Sequence, residues 1–341
     1  MESEVTKKQR LLIIRLSAMG DVAMSVPVVH AFAKAYPEHS LYFLTKPFHK
    51  SIIETIPGVR PILADVKGEH KGILGLWRLS RQLKAQGITA VADLHEVTRS
   101  KILTFFLQLP TARIDKGRAA KKKLIRDKTV ATTKLETTIS RYIKVFNRLG
   151  FEGIKPMALS RPAPSEAVQQ LGATATQKWI GIAPFAAHPG KQYPLELMQK
   201  LITILDQTAR FSIFLLGAPS EQTVLATMAK GCEHTQVVAG TLAFSDQINL
   251  IGQLDLMLSM DSGNGHLAAM YAVPTITLWG VTHPALGFAP FGQEAHVLVS
   301  DREAYPLIPT SVYGNKLPQG YKGLMQSIAV KTILDKIDEL V

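Results

Sequence analysis

The most constraining feature of this sequence is an alternation, repeated along the chain, between short apolar runs rich in Leu, Ile and Val and amphipathic stretches of helical length. Such alternation is typical of βαβ units, in which parallel strands are joined by helices that pack on the sheet. In the first half, strands are predicted at residues 11–16, 40–45 and 90–94, and helical stretches end near residues 35 and 149. The first half is therefore predicted to be one α/β domain.

A second alternation begins after a proline-rich stretch at residues 161–165, which has the composition of a linker. Its strands are predicted at residues 179–183, 212–216, 236–238, 256–259 and 275–278. The stretch at residues 194–206 opens with a proline and an acidic residue, as helices often do. We therefore predict a first domain over residues 1–160, a second over residues 166–323, and a closing C-terminal helix over residues 324–341.

Length and composition agree with two soluble domains. The chain has 341 residues, of which 46% are hydrophobic, and single cores stop growing at about 250 to 300 residues. The N-terminus is polar and lacks the apolar segment of a signal peptide, so a cytoplasmic location is expected. The single cysteine, Cys232, is expected to be a buried small hydrophobe. A net charge of +12 attracts nucleic acid, anionic membrane or phosphorylated substrate alike.

The first candidate site is the Ser-Ala-Met-Gly-Asp segment at residues 17–21, where the first strand turns into its helix. Ligands of open α/β sheets bind at the carboxyl ends of strands, so the carboxylate of Asp21 is placed for function. The spacing is not that of a dinucleotide fingerprint. Asp21 could also be an ordinary first-turn acid that favours the helix dipole.

The second candidate site is the Asp-Ser-Gly-Asn-Gly-His segment at residues 261–266, directly after a predicted strand. Glycines allow close backbone approach, and exposed amides at a helix start suit a phosphate. The alternative is a capped helix start, with Asp261 or Ser262 as the cap and His266 a surface residue. The glycine pair favours phosphate binding, because a cap needs neither glycine.

Two further polar residues follow strands of the second domain. Lys191 lies in a turn before a helix, where it could neutralise a pyrophosphate or be an ordinary surface lysine. Glu221 could accept hydrogen bonds from ribose hydroxyls or serve a helix dipole. The sequence has no Asp-x-Asp motif, no His-Glu-x-x-His motif and no cysteine cluster, so we predict no metal site.

A basic run at residues 113–128 contains eight Lys or Arg and two Asp. Aromatic neighbours are too sparse for base stacking, so attraction to phosphate or anionic lipid is the functional interpretation. A solvated helix face is the alternative. We expect Lys121, Lys122, Lys123 and Arg126 to face an acceptor or a membrane.

In order along the chain, these residues resemble the motifs of glycosyltransferase family nine, the bacterial ADP-heptose:lipopolysaccharide heptosyltransferases. The shared residues are Ser17, Gly20 and Asp21 with Pro27, then Asp93, Leu94, His95, Arg99 and Ser100, then Lys191, Gly217, Ala218 and Glu221, then Asp261, Ser262, Gly263 and His266, and finally Trp279 to Thr282. Ala18 stands where many members have a second serine, and Asn264 and Gly265 also depart from the pattern.

The resemblance implies the GT-B fold, in which two Rossmann-like domains with parallel sheets face a central crevice. It implies an inverting enzyme that uses no metal or other cofactor, with ADP-heptose as donor and the lipopolysaccharide inner core as acceptor. Asp21 then resembles the general base, Lys191 a counter-charge to the diphosphate, and Glu221 a ribose contact. Asp261, Ser262, Gly263 and His266 resemble donor-binding residues, and a peripheral position at the cytoplasmic face of the inner membrane is expected.

Three other functions remain open at this point. A transferase for another nucleotide sugar or a sugar-nucleotide epimerase would share the fold, and the epimerase would need no lipid acceptor. A nucleic-acid binder is supported by charge alone, and the sequence contains no recognisable nucleic-acid module. We expect no nucleic-acid partner.

Overall fold

A computed structural model describes residues 8–129, 133–172 and 177–341. The chain forms two compact units. Unit 1 comprises residues up to 116 together with residues 138–159, and unit 2 comprises residues 117–137 and 160–341. Each unit is an α/β structure with its own parallel sheet, so the predicted pair of Rossmann-like folds of the GT-B class is confirmed.

The first half of the chain alternates strands and helices. The elements are β1 (Arg10–Ile14), α1 (Met19–Ala35), β2 (Ser40–Thr45), α2 (Lys50–Ile53), β3 (Val59–Leu63), α3 (Gly72–Ala85), β4 (Ala90–Asp93), α4 (Thr98–Leu107), β5 (Thr111–Arg113), α5 (Arg118–Asp127) and α6 (Thr138–Asn147). The sheet of unit 1 has the order β3-β2-β1-β4-β5, and every pairing in it is parallel.

The second half repeats the pattern. Its elements are α7 (Glu166–Gln169), β6 (Lys178–Ala183), α8 (Leu195–Gln207), β7 (Phe211–Leu215), α9 (Gln222–Met228), β8 (Thr235–Val237), α10 (Phe244–Gln253), β9 (Leu256–Met260), α11 (Gly263–Ala269), β10 (Thr275–Trp279), β11 (Val297–Val299) and α12 (Val330–Leu340). Single turns of 3-10 helix occur at Pro47–His49, Pro189–Lys191, Pro219–Glu221, Pro284–Leu286 and Leu324–Ser327. The order of the sheet of unit 2 is β11-β10-β9-β6-β7-β8, again with parallel pairing.

The central strands are buried on both faces, which explains their continuous apolar runs. In unit 1, Leu12 and Ile14 pack against Leu79 and Leu83 of α3 and Leu103 of α4. In unit 2, one large cluster combines β6, β7, β9 and β10 with the apolar faces of α8 and α12. The terminal helix α12 buries its Ile residues in this cluster and belongs to unit 2.

One segment departs from the predicted division of the chain at residue 160. Residues 117–137, which include α5, group with unit 2 although they precede the last helix of unit 1. Leu124 of α5 packs against Ala285 and Leu286, and the Leu135 amide donates to the Ala285 carbonyl at 2.9 Å. The chain therefore passes from unit 1 to unit 2, returns for α6, and passes again to unit 2.

Candidate active site

The candidate site residues of unit 1 follow β1 and β4, two neighbouring strands in the interior of its sheet. The chain builds the sheet outward from β1 to β2 and β3, then returns to place β4 on the other side of β1. Loops after β1 and β4 thus diverge at a topological switch point, which is where open α/β sheets bind ligands. Asp21 lies in the first turn of α1, after β1, and His95 follows β4.

Asp21 is held through one of its two carboxylate oxygens. The guanidinium Nη2 of Arg15 contacts Oδ2 of Asp21, and the Ala18 amide donates to the same oxygen at 3.1 Å. Neither contact uses Oδ1, and the Asp21 side chain is 26% exposed. The carboxylate is thus fixed in orientation while one oxygen remains available to a ligand.

Arg15 was not predicted as a site residue. It directly follows β1, is only 6% exposed, and its Nη1 donates to the Leu94 carbonyl at 2.6 Å. A buried guanidinium needs hydrogen bonds and a counter-charge, and Asp21 supplies the charge. The sequence feature that could have indicated this role is a single arginine at the end of an otherwise apolar predicted strand.

Two buried aromatic side chains complete this environment. Burial, followed by the charges of Arg15 and Lys116, lowers the pKa of His95 to about 3. Its Nδ1 accepts a hydrogen bond from the Leu16 amide at 3.3 Å, which requires the neutral ring. Burial also raises the pKa of Tyr142 above its ordinary value, and its hydroxyl donates to the Asp21 carbonyl at 3.2 Å. Both rings therefore stay neutral at physiological pH.

The Asp-Leu-His motif begins at the last residue of β4, and that residue, Asp93, has a structural role. Asp93 is fully buried, and its Oδ1 accepts hydrogen bonds from the amides of His95 and Glu96 at 2.9 and 2.8 Å. The Ser100 hydroxyl donates to Oδ2 at 2.8 Å. These bonds fix the turn that carries His95.

The candidate residues of unit 2 lie at the equivalent position of its sheet. The chain builds β7 and β8 on one side of β6, then places β9, β10 and β11 on the other. The switch point therefore falls between β6 and β9. Lys191 follows β6 and Asp261 follows β9, so the sheet topology brings these distant residues to the same edge.

Lys191, Asp261 and Thr282 form a connected polar cluster. The Lys191 ammonium lies 2.8 Å from Oδ2 of Asp261, and the Thr282 hydroxyl donates to the same oxygen at 2.6 Å. The side chains of the ion pair are 13% and 10% exposed. The ammonium has three donors, so its contact with Asp261 leaves hydrogen-bonding capacity for an anion.

A close backbone contact fixes the position of the Lys191 turn. The Val281 amide donates to the Gly190 carbonyl at 2.9 Å. A Cβ on Gly280 would lie 2.1 Å from that carbonyl oxygen, and one on Gly190 would lie 2.7 Å from Val281. Only glycine fits at both positions, which explains the glycines beside Lys191 and Val281.

The segment at the start of α11 does not behave as a simple helix cap. Ser262 occupies the N-cap position, yet its hydroxyl is buried and has no hydrogen-bond partner within residues 8–129, 133–172 and 177–341. Gly263 is the first residue of α11. His266 is 7% exposed, so the alternative of a surface histidine is wrong. A Cβ on Gly265 would lie 2.6 Å from the Ser259 hydroxyl, so this glycine is needed for packing.

Glu221 makes a local contact. It follows β7, and its Oε2 accepts a hydrogen bond from the Ala218 amide at 2.7 Å. This bond closes the turn in which the chain leaves the sheet. A ribose contact would fall to the other carboxylate oxygen.

The basic run contains two kinds of residue. Lys121 is 5% exposed, and its ammonium lies 3.8 Å from the centre of the Phe288 ring. Lys121 therefore does not face outward towards an acceptor or a membrane, as was expected. Lys122, Lys123 and Arg126 are exposed, and Arg126 pairs with Asp127. Within the described part of the chain, no three His, Cys, Asp or Glu side chains are grouped to hold a metal ion.

Comparison with known families decides between the enzyme classes. A sequence profile of glycosyltransferase family 9 (heptosyltransferase) matches residues 76–314. The chain belongs to this family. It is therefore a glycosyl-transferring enzyme, as the motifs predicted.

Individual relatives of this glycosyltransferase cover almost its whole length. It is 24% identical to the lipopolysaccharide core heptosyltransferase OpsX of Haemophilus influenzae, over 97% of this chain and 96% of that protein. A glycosyltransferase family 9 structure from Veillonella parvula has a TM-score of 0.76 at 21% identity and covers 97% of each chain. The Escherichia coli heptosyltransferase WaaC with ADP has a TM-score of 0.71 at 18% identity, covering 98% of this chain and all 100% of that one.

Proposed function

We propose that this enzyme transfers a heptose from ADP-heptose to the lipopolysaccharide inner core, with inversion at the anomeric carbon and without a metal ion. The observation that carries the proposal is the arrangement of Asp21. Its carboxylate is oriented by Arg15 and the Ala18 amide through Oδ2, and Oδ1 takes part in neither contact. A fixed, partly exposed carboxylate is what a general base for a sugar hydroxyl requires.

The chemistry is a single displacement. Oδ1 of Asp21 takes the proton of the acceptor hydroxyl as its oxygen forms a bond to the anomeric carbon of the donor. The bond between that carbon and the β-phosphate oxygen breaks on the opposite face, and ADP leaves with the electron pair. One displacement inverts the configuration.

The leaving diphosphate is assigned to residues of unit 2. Lys191 supplies the positive charge, and Asp261 and Thr282 fix the ammonium in place. The buried hydroxyl of Ser262 lacks a protein partner in the described residues, as a group that bonds a ligand would. Gly263, His266 and Glu221 complete the proposed donor contacts.

Donor and acceptor are proposed from the relatives. OpsX is a lipopolysaccharide core heptosyltransferase, and WaaC has been solved with ADP and with ADP-2-deoxy-2-fluoro heptose. A lipid-linked acceptor implies work at the cytoplasmic face of the inner membrane. The exposed cations Lys122, Lys123 and Arg126 are candidates for acceptor phosphates, whereas burial removes Lys121 from that set.

The test is to incubate the purified chain with ADP-heptose and heptose-deficient lipopolysaccharide in EDTA, and to follow ADP release and product stereochemistry. We expect acceptor-dependent release of ADP and an inverted product. Asp21→Asn should lower kcat by about 10² to 10⁴ while the Kd for ADP changes little. Full activity of Asp21→Asn would remove Asp21 from the mechanism, and a strict magnesium requirement would contradict charge stabilisation by Lys191. ADP-heptose turnover without acceptor consumption would favour an epimerase.

A further inference from the structure

We infer that the outer face of α3, with Phe105 of α4, is the surface by which this enzyme binds an anionic lipid bilayer. The inference deepens the proposed function by naming the partner surface, and it rests on observations within unit 1 alone. None of the helices in the described part of the chain is long and apolar enough to cross a membrane.

The outer face of α3 is apolar where a surface helix is usually polar. Ile73 is 63% exposed, Leu74 74% and Trp77 48%. They lie within the first two turns, and the spacing of Ile73 and Trp77 puts them in one row. Single exposed apolar residues are normal on protein surfaces, but three large ones together mark an interaction site.

Phe105 adds a fourth apolar side chain to the same layer. Leu79 and Leu83 of α3 and Leu103 and Leu107 of α4 pack in one cluster on one face of the sheet. The exposed sides of both helices therefore face away from the sheet on the same side of unit 1. Phe105 is 69% exposed on this side.

The charges of this face select an anionic partner. Helix α3 carries Arg78, Arg81 and Lys84 and no acidic residue. These cations follow Trp77 on the exposed face, and the guanidinium of Arg81 lies 5.9 Å from the centre of the Trp77 ring. Helix α4 carries Arg99 and Lys101 and also no acidic residue.

The carboxylates of Asp65, Glu69 and Glu96 lie in the loops that precede α3 and α4, and each is engaged; Asp65 accepts hydrogen bonds from the amides of its own loop. Glu96 pairs with Lys101 at 2.5 Å, and Glu69 accepts a hydrogen bond from Gln82 at 3.0 Å. The surface thus combines an exposed tryptophan and aliphatic side chains with an excess of arginine and lysine. This is the composition of helices that lie in a membrane interface, where Trp and Arg place an apolar body beside a wet, anionic layer.

The experiment measures binding of the full chain to vesicles without donor or acceptor. The vesicles contain phosphatidylethanolamine and phosphatidylglycerol, or phosphatidylcholine alone as the neutral case. We expect Ile73→Ser with Leu74→Ser to lower the partition coefficient about tenfold or more. Arg78→Gln with Arg81→Gln should lower it about 30-fold on the anionic vesicles and little on the neutral ones.

Matched controls lie in unit 2. Lys122→Gln with Lys123→Gln removes the same charge from the exposed face of α5, and Val224→Ser with Val299→Ser removes two exposed apolar side chains. Both control variants should bind as the wild type does. Equal unfolding midpoints for all four variants confirm that each is folded, since every substituted residue is exposed.

Fluorescence assigns the contact to one residue. Of the three tryptophans, Trp279 is 1% exposed and Trp179 is half-buried, so brominated lipids should quench Trp77 most strongly. Trp77→Phe should keep binding and lose this quenching, whereas Trp77→Ser should lose both.

Three results would overturn the inference. Wild-type partitioning of both α3 double variants would remove this face, and loss of binding only in the Lys122→Gln/Lys123→Gln variant would move the contact to α5. The third result would be a wild-type chain that does not bind vesicles and forms a dimer, while the Ile73→Ser/Leu74→Ser variant is a monomer. The face would then be a contact between copies of the chain. The transfer assay on the wild-type chain is a separate measurement, so failure here and failure of the proposed function are distinguishable.

Discussion

At the scale of single residues, Arg15 connects the fold of unit 1 to its proposed base. Its guanidinium joins Asp21 to the Leu94 carbonyl and is almost wholly buried. Arg15→Met removes the counter-charge of the carboxylate and leaves it the Ala18 amide alone, so we expect kcat to fall while the Kd for ADP stays unchanged. The free energy of unfolding should drop by about 1–3 kcal/mol, because a buried polar contact is lost.

Arg10 provides the matched control for Arg15. It is the first residue of β1, the strand that Arg15 follows, and its guanidinium donates to the Gln86 carbonyl at 2.8 Å in an exposed position. Arg10→Met should change neither kcat nor the unfolding free energy by more than about 0.5 kcal/mol. Equal kcat values for the Arg15 and Arg10 variants would show that Arg15 does not position Asp21.

Lys191 gives the second prediction at this scale. If its ammonium meets the diphosphate, Lys191→Met should raise the Kd for ADP by about 10- to 100-fold, the usual effect of losing a charged hydrogen bond. Asp261→Asn should weaken ADP binding less, because it loosens the lysine without removing it. Titration calorimetry measures both.

The control pair for Lys191 and Asp261 is Lys178 with Asp255, an ion pair of the same unit at 3.3 Å with a 57% exposed lysine. Lys178→Met should leave the Kd for ADP unchanged. If the Lys191 and Lys178 variants bind ADP equally well, Lys191 is an ordinary structural lysine.

The sequence identified Lys191 and Asp261 separately but not their pairing. They lie 70 positions apart, and only the order β9-β6 in the sheet makes them neighbours. Arg15 was missed because a strand pattern predicts burial of a side chain and not which loop supplies its partners. Asp93 was quoted as part of a motif, but its role as the acceptor of two turn amides depends on backbone geometry that a motif does not contain.

At the scale of elements, α5 has a buried face that its composition does not indicate. The helix is dominated by Lys and Arg, yet Lys121 and Leu124, three positions apart, are both buried. Leu124→Ala should lower the free energy of unfolding by about 2–4 kcal/mol, as for other large-to-small core substitutions.

Lys122 is the control on the same helix. It is exposed, and alanine favours helix, so Lys122→Ala should change the unfolding free energy by less than about 0.5 kcal/mol. Urea denaturation of both variants measures the difference. An unfolding curve of Leu124→Ala that overlays the wild type would mean that α5 is not packed on unit 2.

The strands that the sequence did not predict all lie at the edges of the sheets. All eight predicted strands are present within a residue or two, whereas β3, β5 and β11 were not predicted, and these three lie at sheet edges. Edge strands are less buried and lack the continuous apolar runs of central strands. β3 also contains Pro61, which an edge tolerates because one side of its backbone needs no partner.

At the scale of the whole molecule, the repeated alternation was sufficient to predict two α/β units, because each parallel strand requires a helical crossover. It was not sufficient to predict that the chain enters unit 2 at residue 117 and returns for α6. That path depends on the contacts of Leu124 and Leu135 with residues near 285, and no local pattern records them.

Two buried histidines of unit 1, His49 and His95, and the half-buried His283 of unit 2 make the stability of the molecule depend on pH. Burial is the main cause that lowers the pKa of His49 to about 4, of His95 to about 3 and of His283 to about 4. Backbone amides donate to Nδ1 of His95 and of His283, and protonation of that nitrogen would break each bond. In the unfolded chain these rings have the ordinary histidine pKa of about 6.5.

The sign of the dependence follows from these values. Between pH of about 6.5 and 4 the unfolded state binds more protons than the folded state, so stability is complete above about pH 6.5 and falls as pH is lowered through this window. We expect the urea midpoint to decrease steadily over this range. His95→Asn keeps an acceptor for the Leu16 amide but cannot titrate, so its midpoint should depend less steeply on pH than that of the wild type. Parallel curves for the two proteins would show that His95 is not protonated on unfolding, and a flat wild-type curve down to about pH 4 would contradict the lowered pKa values of all three rings.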